Sequence, residues 1–278
     1  MKTLKNELIK LKNKSDTLVF VFDIDGTIVK RSNKIDERIL YMLKMLDNKG
    51  AKIGIATGRP LCKSTQILET IKISFPSIFL DGQVIINMEH NIINKTELEI
   101  PNLKAITERY ANNYFIFFED ENYIYSFSVM EQLMYTLAFR YKRRHIKVVN
   151  DDIEIKPLRL YLKKKVGLIS DENILELNNI CGTEKNIIFL GDEWIVIQPK
   201  EMDKSIAMDI IINKYSYSYE QIIFFGNGIN DLNLLKKSAI GIAMENSDSE
   251  VIPYANYITG HIDEAGVCEA LKIILNVL

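Results

Sequence analysis

Leu18-Val19-Phe20-Val21-Phe22-Asp23-Ile24-Asp25-Gly26-Thr27 decides the fold, because an apolar run of strand length stops abruptly at two carboxylates and a glycine. Asp and Gly are poor strand residues, so the D-x-D-G-T mouth either makes a tight turn or holds a cation and does chemistry. Outward from it, residues 17–83 alternate. Apolar 17–22 is followed by a helical pattern with Ile39, Leu43 and Leu46 on one face, apolar 52–56, a helix near 61–71, then apolar 77–80. This β-α-β-α-β order predicts a parallel sheet with right-handed crossovers. The pattern returns from about 203: a helix through Ile206, Ile210 and Ile211, the strand Ile222 to Phe225, a helix after Asp231, the strand Ala239 to Ala243, and a last helix bearing Val267, Leu271, Ile274 and Leu278. Two separated segments, 1–84 and 199–278, therefore read as one α/β core. Between them, 85–198 turns aromatic and alternating (Tyr114 to Phe118, Tyr123 to Phe127), with helical runs near 101–112, 130–142 and 171–181, and reads as an inserted α+β domain.

Composition narrows the function. The 278 residues are 47% hydrophobic and 26% charged, enough for a full core, and the net charge of −2 supplies no global field for nucleic acid or an anionic membrane. An anionic ligand must then be held locally, which favours a small substrate in a cleft, with no nucleic-acid or membrane partner. Cys62, Cys181 and Cys268 lie far apart without metal-ligand spacing, as expected of buried thiols in a reducing cytoplasm. No apolar run reaches the roughly 18 residues of a membrane span, and the N-terminus lacks the apolar centre of a signal peptide. A soluble cytoplasmic protein is expected. The lysine-rich start places Leu4, Leu8 and Leu11 at helical spacing, as in a surface helix packed on the core.

Three strands of the proposed sheet run into polar groups at their C-terminal ends, where open parallel sheets bind ligands. The first delivers Asp23 and Asp25. The second delivers Thr57-Gly58-Arg59, a hydroxyl, a small residue and backbone amides ahead of a helix, which suit a phosphate oxygen. The third delivers Gly226-Asn227-Gly228-Ile229-Asn230-Asp231. Lys204 follows the apolar Trp194 to Ile197 run and the N-cap candidate Asp203; a cation in a helix's first turn costs roughly 0.3–1 kcal/mol unless an anion sits beside it, and a bound phosphate would remove that conflict.

Together these residues can carry out phosphoryl transfer. A carboxylate attacking a phosphate monoester meets like-charge repulsion, so a cation must bridge them, and clustered hard oxygens without nearby His or Cys select Mg²⁺. Asp23 is the expected nucleophile, forming an aspartyl-phosphate. Asp25, on the same side of an extended segment, is the expected acid and base. Thr57, Asn230 and Lys204 are expected to hold the transferring oxygens. His90, His145 and His261 lie away from these strand ends, so a histidine nucleophile has little support.

These residues resemble the haloacid dehalogenase (HAD) superfamily of phosphotransferases, within it the Cof-like phosphatases whose cap is inserted after the third strand. D-I-D-G-T at 23–27 is similar to the first motif, A-T-G-R at 56–59 to the second, Lys204 with the preceding residues to the third, and G-N-G-I-N-D at 226–231 to the fourth. The tail from Gly241 to Asn246, Tyr257-Ile258-Thr259 and Glu264 to Val267 resembles the branch's C-terminal pattern. The resemblance implies a Rossmann-like three-layer core with a substrate-selecting α+β cap, Mg²⁺ dependence, and hydrolysis of small phosphorylated metabolites, often sugar phosphates. It implies phosphate binding by Thr57, Gly58, Lys204 and Asn230, and a metal held by Asp23, the carbonyl of Asp25, Asn227 and Asp231. Two positions depart from the family pattern. Asn227 stands where an aspartate is usual, making one metal ligand neutral and Mg²⁺ binding weaker. Asp81-Gly82-Gln83 stands where the branch has Asn-Gly-Ala, and Asp81 either faces substrate or caps a turn. A phosphomutase sharing the aspartyl intermediate and a non-catalytic phosphometabolite-binding protein are the alternative functions. In the insertion, Arg140 to Arg144 and Lys163 to Lys165 read as a solvated face offset by Glu119-Asp120-Glu121. The sequence leaves the oligomeric state open.

Overall fold

Val19–Phe22 is wholly buried and lies inside a five-stranded parallel sheet, which explains its unbroken apolar reading. The computed structural model describes residues 4–14, 17–30, 34–100, 103–139, 145–149, 156–167, 169, 177 and 185–278. In chain order they form α1 (Leu4–Lys12), β1 (Val19–Phe22), α2 (Glu37–Asn48), β2 (Lys52–Ile55), α3 (Leu61–Thr70), β3 (Ser77–Phe79), β4 (Val84–Ile86) and β5 (Ile92–Lys95). Then come α4 (Leu103–Tyr110), β6 (Tyr114–Glu119), β7 (Ile124–Ser126), α5 (Val129–Phe139), β8 (Ile146–Val148), β9 (Arg159–Lys164), β10 (Lys185–Leu190) and β11 (Trp194–Pro199). The chain finishes with α6 (Lys204–Tyr215), β12 (Ile222–Gly226), α7 (Leu232–Lys237), β13 (Ile240–Met244), β14 (Tyr257–Thr259) and α8 (Val267–Leu275).

The main sheet runs β14-β13-β12-β1-β2, so strands from both ends of the sequence pair side by side. Alternation along β1 and β12 sends Val19, Val21, Ile222 and Phe224 against Met208 and Ile211 of α6 and Leu234 and Leu235 of α7. On those strands Phe22 and Phe225 stack with ring centroids 4.8 Å apart. Helix α2 starts where Asp36 accepts a hydrogen bond from the Arg38 amide, and buries Ile39, Leu43 and Leu46. Helix α1 buries Leu4, Leu8 and Leu11, as its spacing predicts, and Lys12 Nζ donates to the carbonyls of Val277 and Leu278. Cys62 and Cys268 are buried free thiols; Cys181 lies outside the described residues.

The chain divides into two compact units, one of Met1–Pro60, Ser64–Lys95 and Asp203–Leu278, the other of Leu61–Lys63 and Thr96–Met202. The first unit runs on to Lys95, past the expected boundary after residue 84, because the expected strand at 77–80 is followed by two more that pair with it in turn. β3 meets the main sheet through one bridge, Ala56 to Ile78, and then pairs antiparallel with β4, which pairs with β5. Those ladder bonds hold 84–95 to the first unit. The return likewise falls at Asp203 rather than 199.

The second unit carries a six-stranded sheet, β10-β11-β9-β6-β7-β8, antiparallel except between β7 and β8. Trp194, Phe117, Tyr135, Phe139 and Tyr161 pack ring on ring as core. Glu119 to Glu121, expected from sequence to offset the basic runs, is engaged within the second unit. Glu119 is fully buried opposite Arg159 and accepts the Tyr161 hydroxyl, while Asp120 accepts the amides of Asn122 and Tyr123. Lys163 pairs with Glu193 at 3.0 Å, and the Lys164 ammonium lies over the Tyr114 ring. Arg140 to Arg144 and, apart from Leu177, the 171–181 run lie outside the described residues. Among the described residues no helix is long and apolar enough to cross a membrane.

Truncating the stacked, buried pair tests the core directly: Phe225→Ala should lower the stability of the first unit by about 3–5 kcal/mol in urea unfolding followed by circular dichroism, and a loss under about 1 kcal/mol would contradict the packing.

Candidate active site

Strand register builds the site. Phe22 sits level with Ile55 on one side and Phe225 on the other, so Asp23, Ala56 and Gly226 leave the sheet at the same height. The Asp23 amide still donates to the Phe225 carbonyl at 2.8 Å, and Thr57 donates to the Ile78 carbonyl at 2.9 Å. The loops after β1, β2, β3 and β12 thus emerge together at the C-terminal edge of the sheet.

At the centre is Lys204, the first residue of α6 and fully buried. Its Nζ donates to Asp23 Oδ1 at 2.8 Å and to Asp231 Oδ1 at 2.6 Å. The cation expected to await a phosphate in the helix's first turn is already matched by two carboxylates, while Asp203 caps the helix by accepting the Ser205 amide. Burial alone pushes the lysine toward neutrality, but Asp23 and Asp231, with Asp81 behind them, overcome it and hold its pKa above the usual lysine value. Burial raises the Asp23 carboxyl to about 7 against the pull of Lys204, and the Asp231 charge adds to the rise. Asp231 Oδ2 accepts the amides of Asn227 and Gly228, fixing the 226–231 loop.

Beyond Asp23 the chain does not stay extended, as the placement of Asp25 from sequence assumed. It folds into a tight turn in which the Ile24 carbonyl accepts the amides of Thr27, Ile28 and Val29. Gly26 makes the turn, at a φ of 81°, and a Cβ there would fall 2.7 Å from Asn227 Nδ2, so only glycine lets the two loops touch. Thr27 Oγ1 donates to Asn227 Oδ1 at 3.0 Å. Asn246, after β13, donates to the Gly26 carbonyl and accepts the Ile262 amide, bracing the turn from the far side.

Asp23 is buried, whereas the Asp25 side chain is 62% exposed. Arg59 grips it with Nε and Nη2, the former at 2.6 Å, from a side chain only 8% exposed. Thr57 Oγ1 accepts the Arg59 amide, so its own hydrogen is available to an acceptor. The Asp81 amide donates to the Thr57 carbonyl, and Asn230 Nδ2 donates to Asp81 Oδ1 at 2.7 Å.

Asp23, Lys204 and Asp231 are brought into direct contact; Asn227 reaches the 24–29 turn; Gly58 and Asn230 meet around Asp81; Asp25 joins the Thr57 loop through Arg59. Arg59, Thr27 and Asn246 have roles that the expected residue set lacked. Asn246 follows a strand end just as Asp23 and Asn227 do, and that rule would have found it.

The donor set fits a hard divalent cation. Named groups at this edge comprise four carboxylates, Asp23, Asp25, Asp81 and Asp231, against the two cations Lys204 and Arg59, both already paired. A phosphate dianion would meet net negative charge. Oxygen ligands from Asp23, Asn227 and Asp231 suit Mg²⁺, which keeps several waters and needs no closed cage of acidic groups; among the described residues no cluster of three or more His, Cys, Asp or Glu has metal-site geometry.

Residues 20–271 match the model of the haloacid dehalogenase-like hydrolases, and the chain belongs to that family. It is similar to 5-amino-6-(5-phospho-D-ribitylamino)uracil phosphatase YcsE of Bacillus subtilis, 22% identical over 92% of this chain and 95% of the relative. It is also similar to a phosphoglycolate phosphatase of Methanosarcina mazei, 25% identical over 91% of this chain and 95% of that protein. Among solved structures, a sugar phosphatase of HAD subclass IIB superposes with a TM-score of 0.71 at 24% identity, covering 94% of this chain and 100% of the other. The parallel core with an inserted second sheet is the fold of these phosphatases.

The buried triad makes stability depend on pH in a defined direction. Lys204→Met removes the counter-charge that opposes the burial-raised Asp23 carboxyl and pushes its folded-state pKa further above the unfolded one, as for any buried acid left without its cation. Such acids favour folding below their unfolded pKa and lose that contribution as pH rises through the folded pKa. The variant's deficit should therefore be about 3–5 kcal/mol at pH 8 and clearly smaller at pH 5 in urea unfolding; a deficit independent of pH would contradict the pairing.

Proposed function

We propose that the protein hydrolyses small phosphate monoesters, of the polyol or sugar phosphate class, with Asp23 as nucleophile and Mg²⁺ as cofactor. The observation that carries this is the Asp23 carboxylate, buried at the sheet edge and held by Lys204 against Asp231. The ribityl phosphate in the name of the Bacillus relative and the solved sugar phosphatase support the substrate class.

In this reading Asp23 attacks phosphorus and the ester oxygen leaves with a proton from Asp25. Asp25 then takes a proton from water, whose oxygen attacks the aspartyl-phosphate and releases inorganic phosphate. Arg59 fixes the plane of the Asp25 carboxylate. Lys204, Thr57, Asn230 and the Gly58 backbone would hold the transferring oxygens. Mg²⁺, held by Asp23, the Asp25 carbonyl, Asn227 and Asp231, would neutralise the charge between nucleophile and phosphate.

Purified protein with Mg²⁺ should release p-nitrophenol from its phosphate ester, EDTA should stop it, and Asp23→Asn should reduce turnover to background with the circular dichroism spectrum unchanged. Full turnover by that variant would refute the nucleophile. Asp25→Asn should cost about 10²–10⁴-fold in kcat. Replacing the neutral ligand, Asn227→Asp, should lower the Mg²⁺ concentration at half-maximal rate, since the carboxylate adds a charge while still accepting from Thr27; an unchanged requirement would remove Asn227 from the metal site.

A further inference from the structure

We infer that Asp81 is a charge filter that sets substrate specificity, admitting monophosphates whose carbons next to the ester are neutral or hydroxylated and excluding those with a second anionic group there. The inference rests on the phosphatase reading above. Its geometry is that of one carboxylate lodged among the groups assigned to phosphate. Asn230 Nδ2 donates to Asp81 Oδ1. A Cβ built on Gly58 would lie 3.0 and 3.1 Å from the two Asp81 oxygens. The Asp81 charge also acts on the Lys204 ammonium.

The backbone holds it there. Leu80 and Asp81 both have positive φ, 51° and 54°, a conformation that Asp and Asn tolerate and most residues resist. The amides of Leu80 and Asp81 donate to the carbonyls of Arg59 and Thr57, tying this turn to the loop that carries the phosphate ligands. Two adjacent strained residues persist only where surrounding structure fixes them, so the carboxylate's position is imposed and not a side-chain accident.

A fixed negative charge here taxes every phosphate somewhat. The tax becomes selective for a substrate with a carboxylate or second phosphoryl group one or two carbons away, because that group too must approach the half-buried Asp81 carboxylate. A hydroxyl in the same place meets a hydrogen-bond acceptor instead. The site thus has a neutral amide, Asn227, at the metal end and an acid at the phosphate end.

The test compares kcat/KM for ribitol 5-phosphate and phosphoglycolate in the full-length enzyme with Mg²⁺, for wild type and Asp81→Asn. Asparagine keeps the shape, the tolerance for positive φ and an oxygen to accept from Asn230. Wild type should prefer the polyol ester, and the variant should raise the phosphoglycolate-to-ribitol ratio about tenfold or more, as loss of 1.4 kcal/mol of repulsion gives. An unchanged ratio, or a wild type indifferent to the second charge, overturns the filter while leaving the phosphatase reading intact. Absence of turnover with both esters and with p-nitrophenyl phosphate overturns the phosphatase reading and the filter with it.

Discussion

An ammonium with no access to water is tolerable only beside negative charge, and Lys204 has two carboxylates within hydrogen-bond distance. One lies 181 residues earlier in the chain and one 27 residues later. The triad therefore ties together β1, the start of α6 and the loop after β12, drawn from both sides of the insertion. This explains how more than a hundred residues can be placed between β5 and α6 without opening the core. The sheet register and the triad impose the same arrangement: β1 pairs with β12, and their ends are held by one lysine. Folding and the candidate chemistry consequently share a single constraint.

That constraint is unbalanced by one charge. Two carboxylates against one ammonium leave an excess negative charge in a buried place; burial is the main reason the Asp23 pKa is raised, and the Asp231 charge adds to it against the pull of Lys204. Arg59 offers no relief, because its fork is taken by Asp25. The edge of the sheet is thus complete as a protein structure and carries excess negative charge, which suits the divalent cation of the proposed reaction.

The apolar runs and their order made the parallel sheet legible, since buried strands and crossover helices leave strong periodic signals, and the strand ends pointed to Asp23, Thr57 and Asn227. What stayed hidden were relations between distant residues. Nothing local says that Lys204 is buried between Asp23 and Asp231, or that Arg59 holds Asp25, because each contact depends on register across the sheet. The extent of the first unit was hidden for a similar reason: Ser77–Phe79 forms the strand its composition predicts, and only its ladder with β4 shows that the first unit continues to Lys95. The burial of Glu119 was hidden as well, because the residue opposite it, Arg159, lies forty residues on in another strand.

The opening motif admitted two readings, a tight turn or a cation-binding mouth, and the structure shows that the turn is what separates the two aspartates. With three amides converging on the Ile24 carbonyl and Gly26 at positive φ, residues only two apart enter different surroundings. Asp23 stays in line with β1 and is buried against Lys204; Asp25 is carried outward to solvent and Arg59. A nucleophile must keep its charge close to the reacting phosphorus, while an acid and base must exchange protons with a leaving group and with water. On an uninterrupted strand residues two apart would face the same side, so the turn is what gives the two aspartates their different surroundings.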